Sequence, residues 1–147
     1  MKTNIKVLIG ITAVLVLAAV LFLIFPQKSG SAQASVDRAG YQIGEKVELT
    51  VENGFNREIC FSSCYPYIME IQNKKGEWEE YVYQDCASPD RAIDCVPARA
   101  LKKFRIAPED AEIGVHRLKI PVCFDCLAGQ NFESDQALYS GTFIISR

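Results

Sequence analysis

Two hydrophobic patterns divide this chain. Residues 7–25 (VLIGITAVLVLAAVLFLIF) are nineteen positions without a charge. At about 1.5 Å per residue, a helix of that length spans roughly the 30 Å bilayer core. Beyond residue 35 the pattern turns to alternation. Over residues 46–52, Val47, Leu49 and Val51 share one face and charged or polar residues share the other, the period of a half-buried strand. Asn53-Gly54 marks a turn, after which residues 57–61 resume with Ile59 and Phe61 inward. Tyr67, Met69 and Ile71 then alternate with Ile68, Glu70 and Gln72. The polar run 73–76 predicts a hairpin into residues 77–83, which carry Trp78, the only tryptophan.

Further along, residues 101–106 read as a short strand bounded by prolines. Residues 115–122 follow, with His116, Leu118, Ile120 and Val122 on one face. Residues 138–146 close the chain, with Tyr139, Phe143 and Ile145 expected to alternate inward. Helical period is missing after residue 35; residues 108–112 make one turn at most. About seven short strands spaced by turn residues predict an all-β fold. The expected form is an immunoglobulin-like antiparallel β-sandwich preceded by one N-terminal transmembrane helix, with a small barrel as the alternative.

The apolar run sets the expected organisation. Residues 1–6 are a cytoplasmic tail, 7–25 a signal anchor, 26–35 a Ser/Gly/Gln/Ala tether and 36–147 the folded domain. A short N-terminal tail with Lys2 and Lys6 stays inside, which puts the domain outside the cytoplasm on a single-pass membrane protein. The runner-up is a secreted form cleaved after Ala34, because Ala32-Gln33-Ala34 fits a small-x-small signal site. No cysteine adjoins the apolar run, so a bacterial lipoprotein anchor is excluded.

Charge narrows the partners. All eighteen acidic residues lie in the domain against thirteen of the sixteen basic ones, a net charge of −5. An acidic surface with interspersed signs is a poor match for nucleic acid. Phosphate-cradling glycine loops are missing too.

Several short motifs suggest a family. Tyr41-Gln42-Ile43-Gly44-Glu45, the alternating strand and Asn53 resemble the opening of bacterial immunoglobulin-like domains on exported proteins. Trp78 after Lys75-Gly76-Glu77 resembles their second hairpin. Gly114-Val115-His116-Arg117-Leu118 resembles a late Gly-x-Tyr-Arg motif with His in place of Tyr, and residues 139–145 resemble the final strand. A related sandwich occurs in intracellular protease inhibitors of the BsuPI type, from which the apolar N-terminus and the cysteines depart. Neither resemblance implies catalytic residues.

Cys60, Cys64, Cys86, Cys95, Cys123 and Cys126 all fall in the domain. Outside the cytoplasm, an even number of cysteines in a small domain reads as a disulfide framework. Cys64–Cys86 would brace the strands beside the Gly76 turn; Cys86–Cys95 would close the Pro89 loop instead. Six cysteines allow fifteen connectivities. Two other chemistries compete. Cys60, Cys64, Cys123 and Cys126 have spacings that a tetrahedral zinc tolerates. Cys123-Phe124-Asp125-Cys126 is a CxxC pair, but it ends a strand rather than starting a helix, and Asp125 opposes a thiolate. Copper on Met69, His116 and a thiolate ranks lower.

His116, the only histidine, has apolar neighbours on its strand face and reads as a core residue bonded to a loop carbonyl. The acid pairs Glu79-Glu80 and Glu109-Asp110, and the cluster Asp85, Asp90 and Asp94, read as solvated surface rather than a calcium site. Tyr65-Pro66-Tyr67 is the candidate binding loop, since loop aromatics offer apolar area at small entropic cost. The expected role is a non-catalytic binding or structural accessory module, with no cofactor and no metal. Its partner would be a protein or cell-envelope ligand, and its membrane contact would run through residues 7–25. A protease-inhibitor-like module acting through residues 62–66 and a cysteine-based metal or redox protein are the alternatives.

Overall fold

The computed structural model describes residues 30–81, 86, 88–108 and 111–147. The expected tail and anchor, residues 1–25, lie outside them, as do residues 26–29 of the expected tether. No helix occurs among the described residues. Eleven strands follow one another: β1 (Gln33–Val36), β2 (Gly40–Gln42), β3 (Val47–Glu52), β4 (Ile59–Ser62), β5 (Ile68–Gln72), β6 (Trp78–Glu80), β7 (Ala92–Val96), β8 (Leu101–Ile106), β9 (Gly114–Phe124), β10 (Gln136–Tyr139) and β11 (Phe143–Ser146).

They form two sheets. One has the order β1-β3-β8; the other runs β2-β11-β9-β4-β7, with β10 and β5 also on β9 and β6 beside β5. β9 organises the larger sheet. β11 and β10 line one of its edges, and β5 and β4 line the other, because β10 and β5 both pair with Lys119. Each edge is thus one long strand interrupted once. β2 pairs parallel with β11, whereas every other strand pairing is antiparallel.

Alternation explains most of the core. Val47, Leu49 and Val51 of β3 are buried and meet Ile59, Phe61, Met69, Leu118, Ile120, Val122, Phe143 and Ile145 from the larger sheet. One parity fails. Leu138, rather than Tyr139, is buried, and Tyr139 is 47% exposed. The interruption at residues 140–142 shifts the pairing on β9 by one residue: Tyr139 opposes Lys119, whereas Phe143 opposes His116. A one-residue slip exchanges inward and outward positions. Ser140 fills the break, its hydroxyl accepting the Leu118 N–H at 2.9 Å.

Asn53 closes one end. Its buried side-chain amide donates to the carbonyls of Arg57 (2.8 Å), Val96 (3.0 Å) and Pro97 (3.0 Å). It therefore joins the end of β3 to the segments before β4 and after β7, satisfying carbonyls that burial would otherwise leave without donors. β1 begins at Gln33, within the stretch whose composition reads as tether.

Candidate functional site

Three adjacent strands carry a row of sulfurs. β4 lies between β9 and β7. Cys60 sits between the core residues Ile59 and Phe61, so its side chain leaves the opposite, outer face of the sheet. Cys123 of β9 is its cross-strand partner, and directly opposed residues share a face. Cys60 is bonded to Cys95 of β7 (Cα separation 4.0 Å), and Cys123 to Cys126 (6.0 Å). The third pair is Cys64–Cys86 (5.5 Å).

Although they point outward, Cys60 and Cys123 are fully buried. The loop after β9 covers them by turning back toward the β7 edge. Gly129 donates its N–H to the Ala92 carbonyl at 2.8 Å, and Ala92 returns one to Gln130 at 2.8 Å. The Cys126 carbonyl oxygen lies 3.2 Å from Cys60 Sγ. Cys95 and the loop residue Cys126 remain partly exposed. Asp94 and Asp125, the residues before them, adopt left-handed backbone with φ of 50° and 54°. Asp94 sits where the pairing of β7 with β4 shifts by one residue, and Asp125 just past the end of β9, each at a modest conformational cost.

The candidate binding loop is the interruption between β4 and β5. Pairing with β9 stops at Phe61 and resumes at Ile68, which leaves the residues in between off that ladder. Asp90 holds its base, accepting from the Ser62 hydroxyl at 2.8 Å, the Ser63 hydroxyl at 3.3 Å and the Cys64 N–H at 3.2 Å. Ser62 Oγ in turn accepts the N–H groups of Cys64 (3.1 Å) and Tyr65 (2.7 Å). With the Cys64–Cys86 link, this network pre-forms the loop. Tyr67 is half-buried, its ring edge-on to Phe104 at 6.4 Å. Tyr65 and Pro66 are likewise partly exposed.

Several other groupings do not assemble. Cys64 pairs with Cys86, away from Cys60, so the four-cysteine zinc set of Cys60, Cys64, Cys123 and Cys126 is not brought together. Cys86–Cys95 is likewise replaced by Cys60–Cys95. Met69 and His116 face the core, whereas Cys60 and Cys123 face outward, which separates the copper set. His116 is the core histidine its neighbours suggest: Nε2 lies 2.8 Å from the Glu112 carbonyl, and burial lowers its pKa. Asp94 pairs with Lys102 at 2.8 Å, Glu80 pairs with Lys119, and Asp90 is occupied as described. Asp85, Glu109 and Asp110 lie outside the described residues.

Sequence reading missed a second feature of the outer face. Arg117 lies between two rings, its guanidinium 4.2 Å from the centroid of Trp78 and 4.4 Å from that of Tyr139. It also pairs with Glu70, a carboxylate only 5% exposed. A Trp and an Arg at alternating outward positions were the available signal, but their strand pairing could not be read along the chain.

No family model matches this chain, and no curated protein matches it. Solved structures that align include the Pseudomonas fluorescens alkylpurine DNA glycosylase AlkC bound to DNA containing an abasic site analog. It is 14% identical with a TM-score of 0.42, covering 86% of this chain and 33% of that one. A chain from a structure of T cell specificity and activation by the bacterial superantigen toxic shock syndrome toxin-1 aligns at 13% identity and TM-score 0.37, covering 79% of this chain and 98% of that one. Spo0M, a sporulation control protein from Bacillus subtilis, aligns at 12% identity and TM-score 0.39, covering 80% and 50%. The present chain thus spans a third of the first of these. Likeness at this level carries no functional argument.

Proposed function

We propose that residues 30–147 form a disulfide-braced immunoglobulin-like sandwich, held outside the cytoplasm by residues 7–25 and serving as a non-catalytic binding or structural module. The observation that carries this reading is the placement of all six cysteines in three pairs at bonding distance. Three such pairs in a small domain suit an oxidising compartment, where they offset a modest core. Splitting of the first strand between sheets, with β1 on β3 and β2 parallel to β11, supports the immunoglobulin-like assignment. An anchor agrees better than cleavage after Ala34 with the packing of the N-terminal segment. Ala34 opposes Val51 in the middle of β1, and cleavage there would divide a paired strand.

The binding surface in this reading is the braced loop of Tyr65, Pro66 and Tyr67. Pre-organised aromatic loops lose little entropy on binding. Bracing by Cys64–Cys86 and Asp90 equally favours a second reading, insertion of residues 62–66 into a protease cleft as an inhibitor. A panel of proteases incubated with the full chain separates the two.

Protease shaving of intact cells expressing the full chain, followed by thiol labelling of the released domain without reductant, tests the main proposal. The domain should be cut from the cell surface or from opened periplasm, with no cysteine labelled. A protected domain with six reactive thiols would refute it.

A further inference from the structure

The row of sulfurs has a directional geometry. Across β9, β4 and β7, the order along the outer face is Cys123, Cys60, Cys95, because β4 lies between the other two strands. Cys126, bonded to Cys123, lies in the loop that folds over this row, its carbonyl oxygen 3.2 Å from Cys60 Sγ. Cys60 and Cys123 are buried, whereas Cys95 and the loop residue Cys126 are partly exposed. Cys123 and Cys95 therefore flank Cys60 from opposite sides. Thiol–disulfide exchange proceeds by attack of a thiolate on a disulfide sulfur while the other sulfur departs, and an attacker and a leaving group on opposite sides suit that displacement.

We propose that these four cysteines form an exchange relay for a dithiol reductant, entered at Cys126 and left at Cys95. A thiolate of the dithiol attacks Cys126 Sγ, the accessible end, forming a mixed disulfide and releasing the Cys123 thiolate. That thiolate attacks Cys60 Sγ, forming Cys60–Cys123 and releasing Cys95. The second thiol of the dithiol then displaces Cys126, leaving as a cyclic disulfide. The dithiol loses two electrons and two protons, and Cys95 and Cys126 gain them as thiols. One disulfide of the original two remains, now between Cys60 and Cys123.

Two features favour this outcome over simple opening of Cys123–Cys126. Opposed residues in an antiparallel pair have Cα atoms roughly 4.5–5.5 Å apart, inside the roughly 4.4–6.8 Å range that a disulfide spans. The strand spacing therefore admits a Cys60–Cys123 bond. Exchange also takes the new charge out of a covered site: a Cys123 thiolate would be buried beneath the 125–135 loop, whereas Cys95 reaches solvent. A Glu58 carboxylate oxygen lies within 4.8 Å of Cys60 and Cys95 sulfurs; this negative charge favours protonation of the released Cys95 and slows its return. The loop itself, tied to β7 through Ala92 and Arg91, would lose its covalent anchor at Cys126.

Peptide mapping of the full chain tests the relay. The chain is treated with graded dithiothreitol, quenched with iodoacetamide and digested without reductant. The expected two-electron product carries label on Cys95 and Cys126 with a Cys60–Cys123 crosslink, whatever the state of Cys64–Cys86. Label on Cys123 and Cys126 with Cys60–Cys95 intact overturns the proposal. So does persistence of both native pairs up to the concentration that unfolds the domain. In Cys126→Ser no reductant is needed: Cys60–Cys123 with label on Cys95 is expected, and Cys60–Cys95 with label on Cys123 counts against the relay.

Discussion

Glu70 meets Arg117 directly across the β5–β9 pair, on the outer face of the larger sheet. The carboxylate is almost fully buried there because Trp78 and Tyr139 stand on either side of the guanidinium that neutralises it. Burial of such a pair contributes little net stability, but loss of one partner strands the other. Arg117→Ala should therefore lower the unfolding free energy by about 3 kcal/mol. The Arg117→Ala/Glu70→Ala double variant should lose less than the two single variants added together, as a double-mutant cycle in urea would show. Strict additivity would show that the pair does not couple.

Tyr41 fastens the crossover between β1 and β2. Its hydroxyl donates to Asp37 at 2.8 Å and accepts the Arg38 N–H at 3.1 Å. Burial, assisted by the Asp37 carboxylate, pushes its pKa up to about 12 from the ordinary 10.0. The unfolded phenol ionises first, so the unfolded state holds fewer protons between those values. Stability should fall as pH rises above 10, and Tyr41→Phe should flatten that fall while costing about 1–2 kcal/mol at neutral pH through the lost hydrogen bonds. Ultraviolet titration of phenolate at 295 nm, compared between the two proteins, checks the assignment.

Acid should act through His116. Burial holds its pKa below the ordinary 6.5, against the Glu112 carbonyl and charge, which oppose the shift. Tyr81 and Phe143 are the rings packed beside it, and Nδ1 has no partner among the described atoms. Below pH 6.5 the unfolded imidazole takes up a proton that the folded one refuses. The His116 contribution should thus be present above that pH and be lost progressively as pH falls toward the folded value. Urea midpoints between pH 7.5 and 5.5 should drop more for the native chain than for His116→Gln. Equal slopes would remove the histidine from the acid response.

Gly30 and Gly54 allow the N-terminal segment to lie against the end of β3. A Cβ on Gly54 would fall 2.1 Å from the Ser31 carbonyl oxygen, and one on Gly30 would fall 1.8 Å from that of Gly54. Backbone sets both limits, so no side chain can yield. Gly54→Ala should cost about 1–3 kcal/mol, as overpacking does, and should expose the segment before β1 to limited proteolysis. An unchanged melting temperature and digestion pattern would mean that the segment does not dock.

Much of the fold was legible because strand alternation is a local signal. Residues 46–52 and 115–122 placed their apolar faces correctly, since each is an unbroken strand with one buried side. The hairpin at Gly76 was legible for the same reason: Asn73 and a glycine at φ 84° build the turn from neighbouring atoms. Parity failed at Tyr139 because the break at residues 140–142 is set by pairing with β9, not by its own composition.

The site was legible as a list of residues and not as an arrangement. Six cysteines in an acidic β-rich domain pointed to a disulfide framework, and Cys64–Cys86 was among the pairings their spacing suggested. Only the tertiary structure decided that Cys60 opposes Cys123, that Cys95 completes the row and that Met69 and His116 lie on the other face. By itself the sequence determined strands, their inward faces and one long apolar segment, all set by residues within a few positions of each other. Sheet order and register join residues as far apart as 60 and 123, and those come from packing two sheets around a shared core, which no local pattern encodes.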